Sequence, residues 1–439
     1  MLTLNRRHFL ASGALSLSGG ALFASEALAQ PSERVRVGCV GVGGRAGALV
    51  RACAALREVE IVALCDLDPG RLPQALEAVE KLQGRRPRTE TDFRRLLDDR
   101  TIDALVVGTP DHWHALPTIL GCMAGKDVYV EKPDAHNIVE GRTMVAAAKK
   151  HGRIIQLGTQ ARTSERTRTA MEFIRTGALG KCRFAKAWES SKQGSIGRPP
   201  DGDPPPDVDY DFWLGSAPKR PFNPRRFHGN WRWFFDYGTG DLGNDGVHRL
   251  DVARWALGVA AEAQGEPAIG LPTAVSAAGG KFYFDDMQEW PDTLQVTYEY
   301  PGKLLTYEMR VWAPYSYHGE EEGAVVYGDR GYIVIGNSRW RAYERGERLL
   351  AEGKGGDTTA EHLHNFFECV KTRRRPNADL ETVGHVSSVL CHAGNVAWRA
   401  GKRLTLDPHT ERFDDSGANA LRTRPEYRKP WTLPRFPGV

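Results

Sequence analysis

The sequence has few of the features that mark specialised classes of protein. Only 7 of its 439 residues are cysteine, scattered at positions 39, 53, 65, 122, 182, 369 and 391. An odd number at irregular spacing gives no sign of a disulfide framework or a zinc knuckle, so we expect buried free thiols. Internal repeats and low-complexity tracts are also missing.

The sequence also lacks a large excess of charge of either sign. The 59 basic residues nearly balance the 55 acidic ones, which leaves a formal net charge of +4. Because no basic stripe with interleaved aromatic residues is present, nothing indicates a nucleic-acid partner. The hydrophobic fraction of 41% and the charged fraction of 26% are typical of a globular protein, and the length predicts two domains.

The amino-terminal segment lacks an apolar run long enough to span a bilayer. Its short apolar run, Ala11 to Ala24, lies between Arg6-Arg7 and a cleavage-type sequence, Ala27 to Ala29. Paired arginines followed by Phe9 and Leu10 resemble a twin-arginine export signal. The alternative is an ordinary secretory signal that carries two arginines.

We therefore expect residues 1–29 to be a signal peptide that the twin-arginine export machinery reads, with the mature protein in the periplasm. No cysteine follows the cleavage site, so we expect no lipid or membrane anchor. Cargo of this route is exported folded and frequently holds a cofactor already.

Predicted strands and helices alternate from residue 34 to residue 157, which indicates a doubly wound parallel sheet. The first strand, Arg34 to Val40, runs directly into a glycine loop that opens a helix. This loop matches G-x-G-x-x-G/A, in which glycines allow a tight turn and close approach of a pyrophosphate. We predict cofactor contacts at Gly41, Gly43, Gly44, Arg45 and Ala46.

Asp66 ends the next predicted strand, where a carboxylate bonds a ribose 2′-hydroxyl and repels a 2′-phosphate. The sequence therefore favours NAD. Arg71 lies close by and would favour NADP, so NADP stays a second candidate. The alternative for Asp66 is a turn cap beside Asp68, Pro69 and Gly70.

The stretch from Thr109 to Pro133 joins two further apolar strands, and its polar residues fall at their carboxyl ends, where open α/β sheets bind ligands. Lys132 beside Glu131 is placed to polarise a substrate oxygen; the alternative is a surface ion pair. Asp111 is expected to cap the following helix. Because the nearby histidines lack a third ligand of evident spacing, we predict no metal.

Three motifs, GVGGR from Gly41, TPDHWH from Thr109 and EKP from Glu131, together resemble the glucose–fructose oxidoreductase, inositol dehydrogenase and MocA (Gfo/Idh/MocA) family. The resemblance covers nearly all of the mature chain. It implies an α/β fold with a Rossmann domain over residues 34–157 and an α+β domain over residues 158–409, followed by a tail over 410–439. The second domain would hold an open, largely antiparallel sheet that carries the substrate and often forms the interface of a homo-oligomer, here a dimer or a tetramer.

The resemblance also implies the contacts at the nicotinamide end of the cofactor: Thr109, Pro110, His112, Trp113, His114, Glu131 and Lys132.

The segment from Trp231 to Gly258 is the second informative stretch. Asn244, His248, Asp251 and Trp255 recur at i, i+4, i+7 and i+11, which places them on one face of a helix. Burying such a stripe without partners would be costly.

Similar family members place an Asp four residues before a catalytic His, and the matching residues here are Asn244 and His248, with Asp245 displaced by one. Because an amide cannot shuttle a proton, the carboxylate that orients His248 is Asp251, Asp245 or none.

Aromatic residues crowd the stretch from Phe227 to Tyr237, beside several arginines. Such side chains suit the faces of sugars and equally an oligomer interface. The residues we predict to bind substrate are Lys132, Trp231, Trp233, Asp245 and His248.

The leading hypothesis is an exported oxidoreductase that moves a hydride between a sugar or polyol carbon and a tightly bound NAD, with Lys132, Asn244 and His248 as catalytic residues. A second hypothesis is an NAD-dependent glycosidase that acts by transient oxidation, elimination and addition. A third is a binding protein that has kept the fold and lost the chemistry.

Overall fold

A computed structural model describes residues 34–190 and 193–439 of the chain. The predicted signal peptide lies outside the described residues. None of the described helices is long and apolar enough to cross a lipid bilayer.

The first sheet has six parallel strands in the order β3-β2-β1-β4-β5-β6. Its strands are β1 Val35–Val40, β2 Val59–Cys65, β3 Arg88–Glu90, β4 Ala104–Val107, β5 Asp127–Val130 and β6 Ile155–Leu157. The helices that connect them are α1 Gly44–Ala55, α2 Leu72–Gln83, α3 Arg94–Asp98, α4 Ala115–Met123 and α5 Ile138–His151. Every residue of β4, β5 and β6 is buried, as expected for parallel strands covered on both faces. The doubly wound sheet is therefore confirmed.

The helix α5 shows how local sequence sets the ends of these elements. The Asn137 side chain accepts a hydrogen bond from the backbone N–H of Glu140 at 3.0 Å, which satisfies a free donor at the start of the helix. Gly152 follows the last turn with φ of +59°, a conformation that costs glycine little. These two residues set the ends of the helix at Ile138 and His151.

The second sheet has nine strands in the order β14-β13-β12-β11-β7-β10-β9-β8-β15. Only β7 and β10 run parallel; the other neighbours are antiparallel. The strands are β7 Cys182–Glu189, β8 Ala274–Gly280, β9 Thr293–Tyr300, β10 Lys303–Arg310, β11 Glu322–Gly328, β12 Gly331–Ile335, β13 Arg339–Glu344, β14 Leu349–Lys354 and β15 Leu404–Thr405. The largely antiparallel second sheet is therefore confirmed.

The remaining helices are α6 Glu165–Arg175, α7 Tyr210–Leu214, α8 Val247–Ala263, α9 Thr359–Thr372, α10 His385–Ala400 and α11 Ser416–Ala420. Helices α6, α8 and α10 pack against the second sheet and share one hydrophobic core with it. Helix α9 instead packs against α1 and β5 of the first sheet, where Leu363, Phe366 and Phe367 join its core. The tail also reaches this sheet, since Trp431 and Phe436 belong to its second core cluster.

All seven cysteines are buried and free, which confirms the predicted thiols. Burial raises the pKa of the Cys39 and Cys122 thiols to about 12. These thiols are therefore protonated near neutral pH and contribute as small apolar side chains.

Candidate active site

One cleft lies at the carboxyl ends of the first sheet's strands, between that sheet and the second half of the chain. Gly41, Gly43 and Asp66 line one part of it, and Lys132 and Asn244 line another. Strand β1 lies between β2 and β4 in the sheet, so the chain crosses over in opposite directions on either side of it. This is the position where open α/β sheets bind their ligands.

The glycine loop fits a dinucleotide. Gly41 and Gly44 have φ of +84° and +51°, and a Cβ on Gly41 would lie 2.9 Å from the carbonyl oxygen of Gly108. Helix α1 begins here without a side-chain cap and without an acidic residue in its first turn. Its free amide groups and its positive dipole end are therefore available to a pyrophosphate.

Ala46 serves packing in this loop. A Cβ on Gly108 would lie 2.6 Å from the Cβ of Ala46, so helix α1 and the end of strand β4 touch closely. Ala46 itself does not line the cleft.

Asp66 lies in the cleft and also braces the turn that follows it. Its two carboxylate oxygens accept hydrogen bonds from the backbone N–H groups of Val42 at 2.9 Å and Asp68 at 3.0 Å. Burial raises its pKa above the ordinary value. Each oxygen has a second lone pair, so bracing the turn and binding a ribose hydroxyl are compatible.

Glu131 and Lys132 do not form the surface ion pair that was the alternative interpretation. Glu131 is buried and accepts a hydrogen bond from Arg45 Nε at 3.1 Å. The Lys132 ammonium donates instead to the backbone oxygen of Asn244 and to its Oδ1, the latter at 3.1 Å. The glycine loop and the end of strand β5 are thus joined by Arg45, while Lys132 points to the second domain.

The side chain of Asn244 is held in one orientation. Its Nδ2 donates to Asp245 Oδ2 at 3.0 Å and to Asp241 Oδ1 at 3.3 Å. Because the amide nitrogen faces two carboxylates, the amide oxygen faces Lys132. Asn244 lies on a π-helical turn, Leu242–Gly246, that precedes α8, so it does not share the α-helical stripe that its spacing predicted. Such turns are frequent at functional sites.

His248 lies in the first turn of α8 and is half-buried. No described residue forms a hydrogen bond with its ring. Burial, followed by the positive charge of Lys132, lowers the pKa of His248 well below its usual range. The imidazole is therefore neutral near pH 7 and able to accept a proton.

Asp251 does not orient His248. Both of its carboxylate oxygens bind Arg162, at 2.7 and 2.8 Å, and one of them also accepts from Ser387. The guanidinium of Arg162 lies 4.4 Å from the ring centroid of Trp255. Asp251 and Trp255 therefore belong to a buried network beside the site, and of the three alternatives for an orienting carboxylate the described residues leave none in contact with His248.

The prediction that Asp111 caps a helix is wrong. Its buried carboxylate accepts from Thr239 Oγ1 at 2.7 Å, and α4 begins without a side-chain cap. His114 ties two strand ends together, since its ring nitrogens lie 2.6 Å from the Pro133 carbonyl oxygen and 2.9 Å from that of Thr109. Thr109, Pro110 and His114 all line the cleft.

Some of the other predicted residues line the cleft, and others are buried outside its lining. Trp113 and Trp231 line the cleft. Trp233 is 3% exposed and belongs to the core of the second domain. His112 is also buried outside the cleft lining, with its ring 2.9 Å from the Trp213 carbonyl oxygen, and burial lowers its pKa to about 3. Asp245 is half-buried behind Asn244.

Two residues of this region were missed in the sequence. Asp241 accepts from Gln193 Nε2 at 3.0 Å, and burial together with the charge of Asp245 raises its pKa to about 7. His228 lines the same cleft as the glycine loop, with its Nε2 2.8 Å from Asp68 Oδ2. The signal for Asp241 was the clustering of three acids and amides within one turn; His228 had no signal beyond its place among aromatic residues.

Comparison with known proteins agrees with this geometry. A family model described as an oxidoreductase family with an NAD-binding Rossmann fold, GFO_IDH_MocA, matches residues 35–159. A second model, for the C-terminal alpha/beta domain of the same oxidoreductase family, matches residues 186–300 and 354–433.

Curated relatives match part of the chain. A glycosyl hydrolase family 109 protein of Shewanella pealeana is 29% identical over 209 residues, which is 42% of this chain and 46% of that protein. An alpha-N-acetylgalactosaminidase of Shewanella oneidensis is 27% identical over 213 residues, 43% of this chain and 46% of that protein. The chain thus matches just under half of the length of each.

Solved structures share the fold over most of the chain. The aldose-aldose oxidoreductase of Caulobacter crescentus, complexed with glycerol, has a TM-score of 0.65 at 21% identity and covers 85% of this chain and 100% of that one. The WlbA dehydrogenase of Bordetella pertussis, in complex with NADH and UDP-GlcNAcA, has a TM-score of 0.62 at 20% identity and covers 85% and 99%. With both family models matching in order along the described residues, the chain belongs to the Gfo/Idh/MocA oxidoreductase family and carries its NAD-binding Rossmann domain.

Proposed function

We propose that this protein is an NAD-dependent oxidoreductase that transfers a hydride between a carbohydrate hydroxyl carbon and the nicotinamide. One observation carries the proposal: a single cleft joins the glycine loop and Asp66 to the Lys132–Asn244 pair. His248 does not itself line this cleft and lies one helical turn beyond Asn244. When bound, the nicotinamide supplies or accepts the hydride. The side chains of the protein bind the substrate oxygen and move the proton.

Lys132 holds the substrate oxygen in this proposal. An ammonium has three donors, and Asn244 accepts two of them. The third is free to donate to a hydroxyl or carbonyl oxygen, which stabilises the negative charge that develops there. Asn244 therefore acts by positioning Lys132 and does not move a proton.

His248 takes the hydroxyl proton during oxidation and returns it during reduction. A neutral imidazole is required for the first role, and the lowered pKa provides it. The substrate class is supported by Trp231 and Arg232 on the cleft wall, since aromatic and hydrogen-bonding side chains together suit sugars. The name of one structural neighbour, an aldose-aldose oxidoreductase, and the UDP-GlcNAcA bound to another also support it.

The test is to mix the purified holoprotein with a panel of sugars and polyols and to follow the absorbance band of the reduced nicotinamide. At least one sugar should raise this band, and Lys132→Ala should abolish the rise while the cofactor stays bound. If no member of the panel changes the cofactor and Lys132→Ala changes nothing, the binding-protein hypothesis replaces this one.

A second candidate is an NAD-dependent glycosidase, which the glycosyl hydrolase family 109 relatives favour. The same Lys132 and His248 would serve a transient oxidation that is reversed before product release. A chromogenic N-acetylgalactosaminide should then be cleaved without net reduction of the cofactor. Reduction without cleavage would exclude the glycosidase.

The proposal includes a cofactor that stays bound between turnovers. The segment Phe227–Arg232 comes from the second half of the chain, and Phe227, His228, Gly229, Trp231 and Arg232 all line the same cleft as the glycine loop. His228 adopts φ of +39°, a conformation uncommon for a non-glycine residue, and binds Asp68. A segment that closes over the cleft would slow release of the dinucleotide.

The proposal also places the protein in the periplasm, exported by the twin-arginine route. The support is the sequence pattern around Arg6 and Arg7. Changing both arginines to lysine should leave the protein in the cytoplasm, as measured by cell fractionation; periplasmic recovery of that variant would point to the ordinary secretory route.

A homo-oligomer, dimer or tetramer, completes the proposal. One face of the second sheet carries a small separate cluster, Trp188, Val325 and Val334, with the partly buried Tyr327 and Tyr332 beside it. Aromatic residues of this kind are enriched at interfaces. Light scattering that gave the mass of a single chain would contradict the oligomer.

A further inference from the structure

A second cleft shares none of the lining residues of the first. Five segments and Trp290 line it: the turn before α5, the loop around Ser216, the stretch from Phe235 to Thr239, helix α10, and the tail from Leu421 to Arg428. Nothing in the proposed reaction uses this space. Its chemistry therefore needs a separate explanation.

The lining carries more positive than negative charge. Four cationic residues, Lys219, Arg399, Arg424 and Arg428, face two acidic ones, Asp236 and Glu426. Arg428 is already bound to Asp211 at 2.7 Å, and Lys219 lies 3.8 Å from the same carboxylate. Arg399 is therefore the cation of this lining that has no carboxylate within ion-pair distance, and the one carboxylate close to Arg424, Glu140, lies outside the lining.

Arg399 lies at the mouth of this cleft. Its guanidinium stacks 4.8 Å from the ring centroid of Phe235, and within the described residues it forms no hydrogen bond or ion pair. An arginine held flat against an aromatic ring keeps its donors directed outward in a fixed fork. Such a fork suits a carboxylate or phosphate.

Arg424 lies deeper and is 6% exposed. Its Nη1 donates to the Asp236 backbone oxygen at 2.9 Å, and its Nε lies 3.5 Å from Glu140 Oε1. Its Nη2 is buried and has no hydrogen-bond partner. Leaving a charged donor unpaired is costly, so this side of the cleft lacks an acceptor oxygen.

His136, in contrast, has an acceptor atom that lacks a donor. Burial lowers its pKa well below the usual range, so the ring is neutral, and its Nε2 lies 2.8 Å from the Phe235 carbonyl oxygen. That nitrogen must carry the proton and donate it. The other ring nitrogen, Nδ1, is then an acceptor, and it is buried without a partner. This part of the cleft lacks a donor, such as a hydroxyl group.

We infer that the second cleft binds a small hydroxylated anion, of the class that includes sugar acids and sugar phosphates. The anionic group pairs with the guanidinium groups of Arg399 and Arg424, a hydroxyl donates to His136 Nδ1, and Phe235 with Trp290 provides an aromatic wall for the ring. The two clefts are neighbours, since Thr239, which lines the second cleft, donates a hydrogen bond at 2.7 Å to Asp111, which lines the first.

Calorimetric titration of the holoprotein with gluconate, glucose 6-phosphate and glucose tests the inference. Gluconate or glucose 6-phosphate should bind at least tenfold more tightly than neutral glucose, and the difference between the two identifies the anionic group. Arg399→Gln should lower the affinity for the anion by about tenfold or more. Arg403→Gln is the matched control, because Arg403 is an exposed arginine paired with Glu299 outside the cleft, and it should leave the binding unchanged.

Binding at the catalytic cleft must be distinguished from binding here. Lys132→Ala should leave the anion affinity unchanged, and Arg399→Gln should leave the sugar-dependent reduction of the cofactor unchanged in the absence of anion. The inference is overturned if neither anion binds at millimolar concentration, if Arg399→Gln has no effect, or if Lys132→Ala is the variant that removes binding.

Discussion

Two histidines beside the Lys132–Pro133 segment have opposite electrostatic surroundings. His248 faces the Lys132 ammonium and has no carboxylate partner among the described residues, and its pKa is lowered. His385, the first residue of α10, lies with its Nδ1 2.7 Å from Asp134 and its Nε2 3.2 Å from Glu411. Burial opposes the charge on His385, but the two carboxylates outweigh it and raise its pKa to about 10.

The difference teaches that burial alone does not set the role of a histidine. At His248 burial and a neighbouring cation act in the same direction and keep the ring able to accept a proton. At His385 the two carboxylates keep the imidazole protonated. The resulting ion pairs hold helix α10 against Asp134, which follows Pro133, and against Glu411 in the tail. One environment suits chemistry and the other suits stability.

The largest effect should come from removing the neutral imidazole. His248→Gln should lower kcat for sugar oxidation by about 10²- to 10⁴-fold, the usual contribution of a general base. His385→Gln should change stability and leave kcat of the folded protein within a few-fold of the original. Single-turnover reduction of the bound cofactor measures the rate of the chemical step in each variant. Equal losses in both variants would show that His248 has no special role in catalysis.

Breaking the charged pair at Asp134 should have the next largest effect, on stability. Asp134→Asn leaves His385 with one carboxylate, and the loss of one partner from a buried pair costs about 3–5 kcal/mol. Denaturant unfolding measures it. Glu344→Gln, which removes an exposed carboxylate from Arg348, serves as the control and should leave the midpoint unchanged.

The two histidines should also differ in their response to pH. The folded pKa of His385 lies above its ordinary value of 6.5, so its contribution to stability is complete below pH 6.5 and is lost as pH rises through about 10. Asp134→Asn should remove most of this alkaline loss in denaturant unfolding.

For activity the sign at His248 is the reverse. Its lowered pKa keeps the base neutral, so kcat/KM for oxidation should show no fall attributable to His248 between pH 8 and pH 6.5. A steep acid limb near pH 6.5 that disappears in His248→Gln would show that the histidine is not shifted.

The smallest effect should come from the closing segment Phe227–Arg232. His228→Ala removes the contact with Asp68 and should speed release of NADH by roughly tenfold, the worth of one hydrogen bond to a charged group. His364→Ala is a matched control, since it removes a similar histidine–carboxylate contact, to Glu58 at 2.5 Å, away from the cleft. Stopped-flow transfer of NADH to a trap measures both, and equal rates would show that the segment does not retain the cofactor.

The parts of the site that the sequence predicted were those with a local signal. A glycine loop directly after a strand and a lysine at the end of another are fixed by short-range order, because the carboxyl ends of parallel strands meet at one edge. Partners that lie far apart in the chain gave no such signal. Asp251 bonds Arg162, which is distant in the sequence, whereas the spacing of Asp251 on α8 suggested a role beside His248.

The fold followed the same division. The parallel sheet could be predicted because its strands are apolar throughout. Strand β7, inside the second sheet, mixes exposed and buried positions along Cys182–Glu189 and has no comparable apolar run. Trp231 and Trp233 are two residues apart on one short helical turn, and which of them faces the core depends on neighbours that the local sequence does not specify.

The return of α9 and the tail to the first sheet has a consequence for biosynthesis. Phe366 and Phe367 complete one side of that sheet's core, and Trp431 and Phe436 complete the other. A ribosome that has released only the first 160 or so residues has therefore made a dinucleotide domain with apolar surface still uncovered. The domain made first is therefore finished last, because its hydrophobic core is complete only once the chain has been synthesised past Phe436.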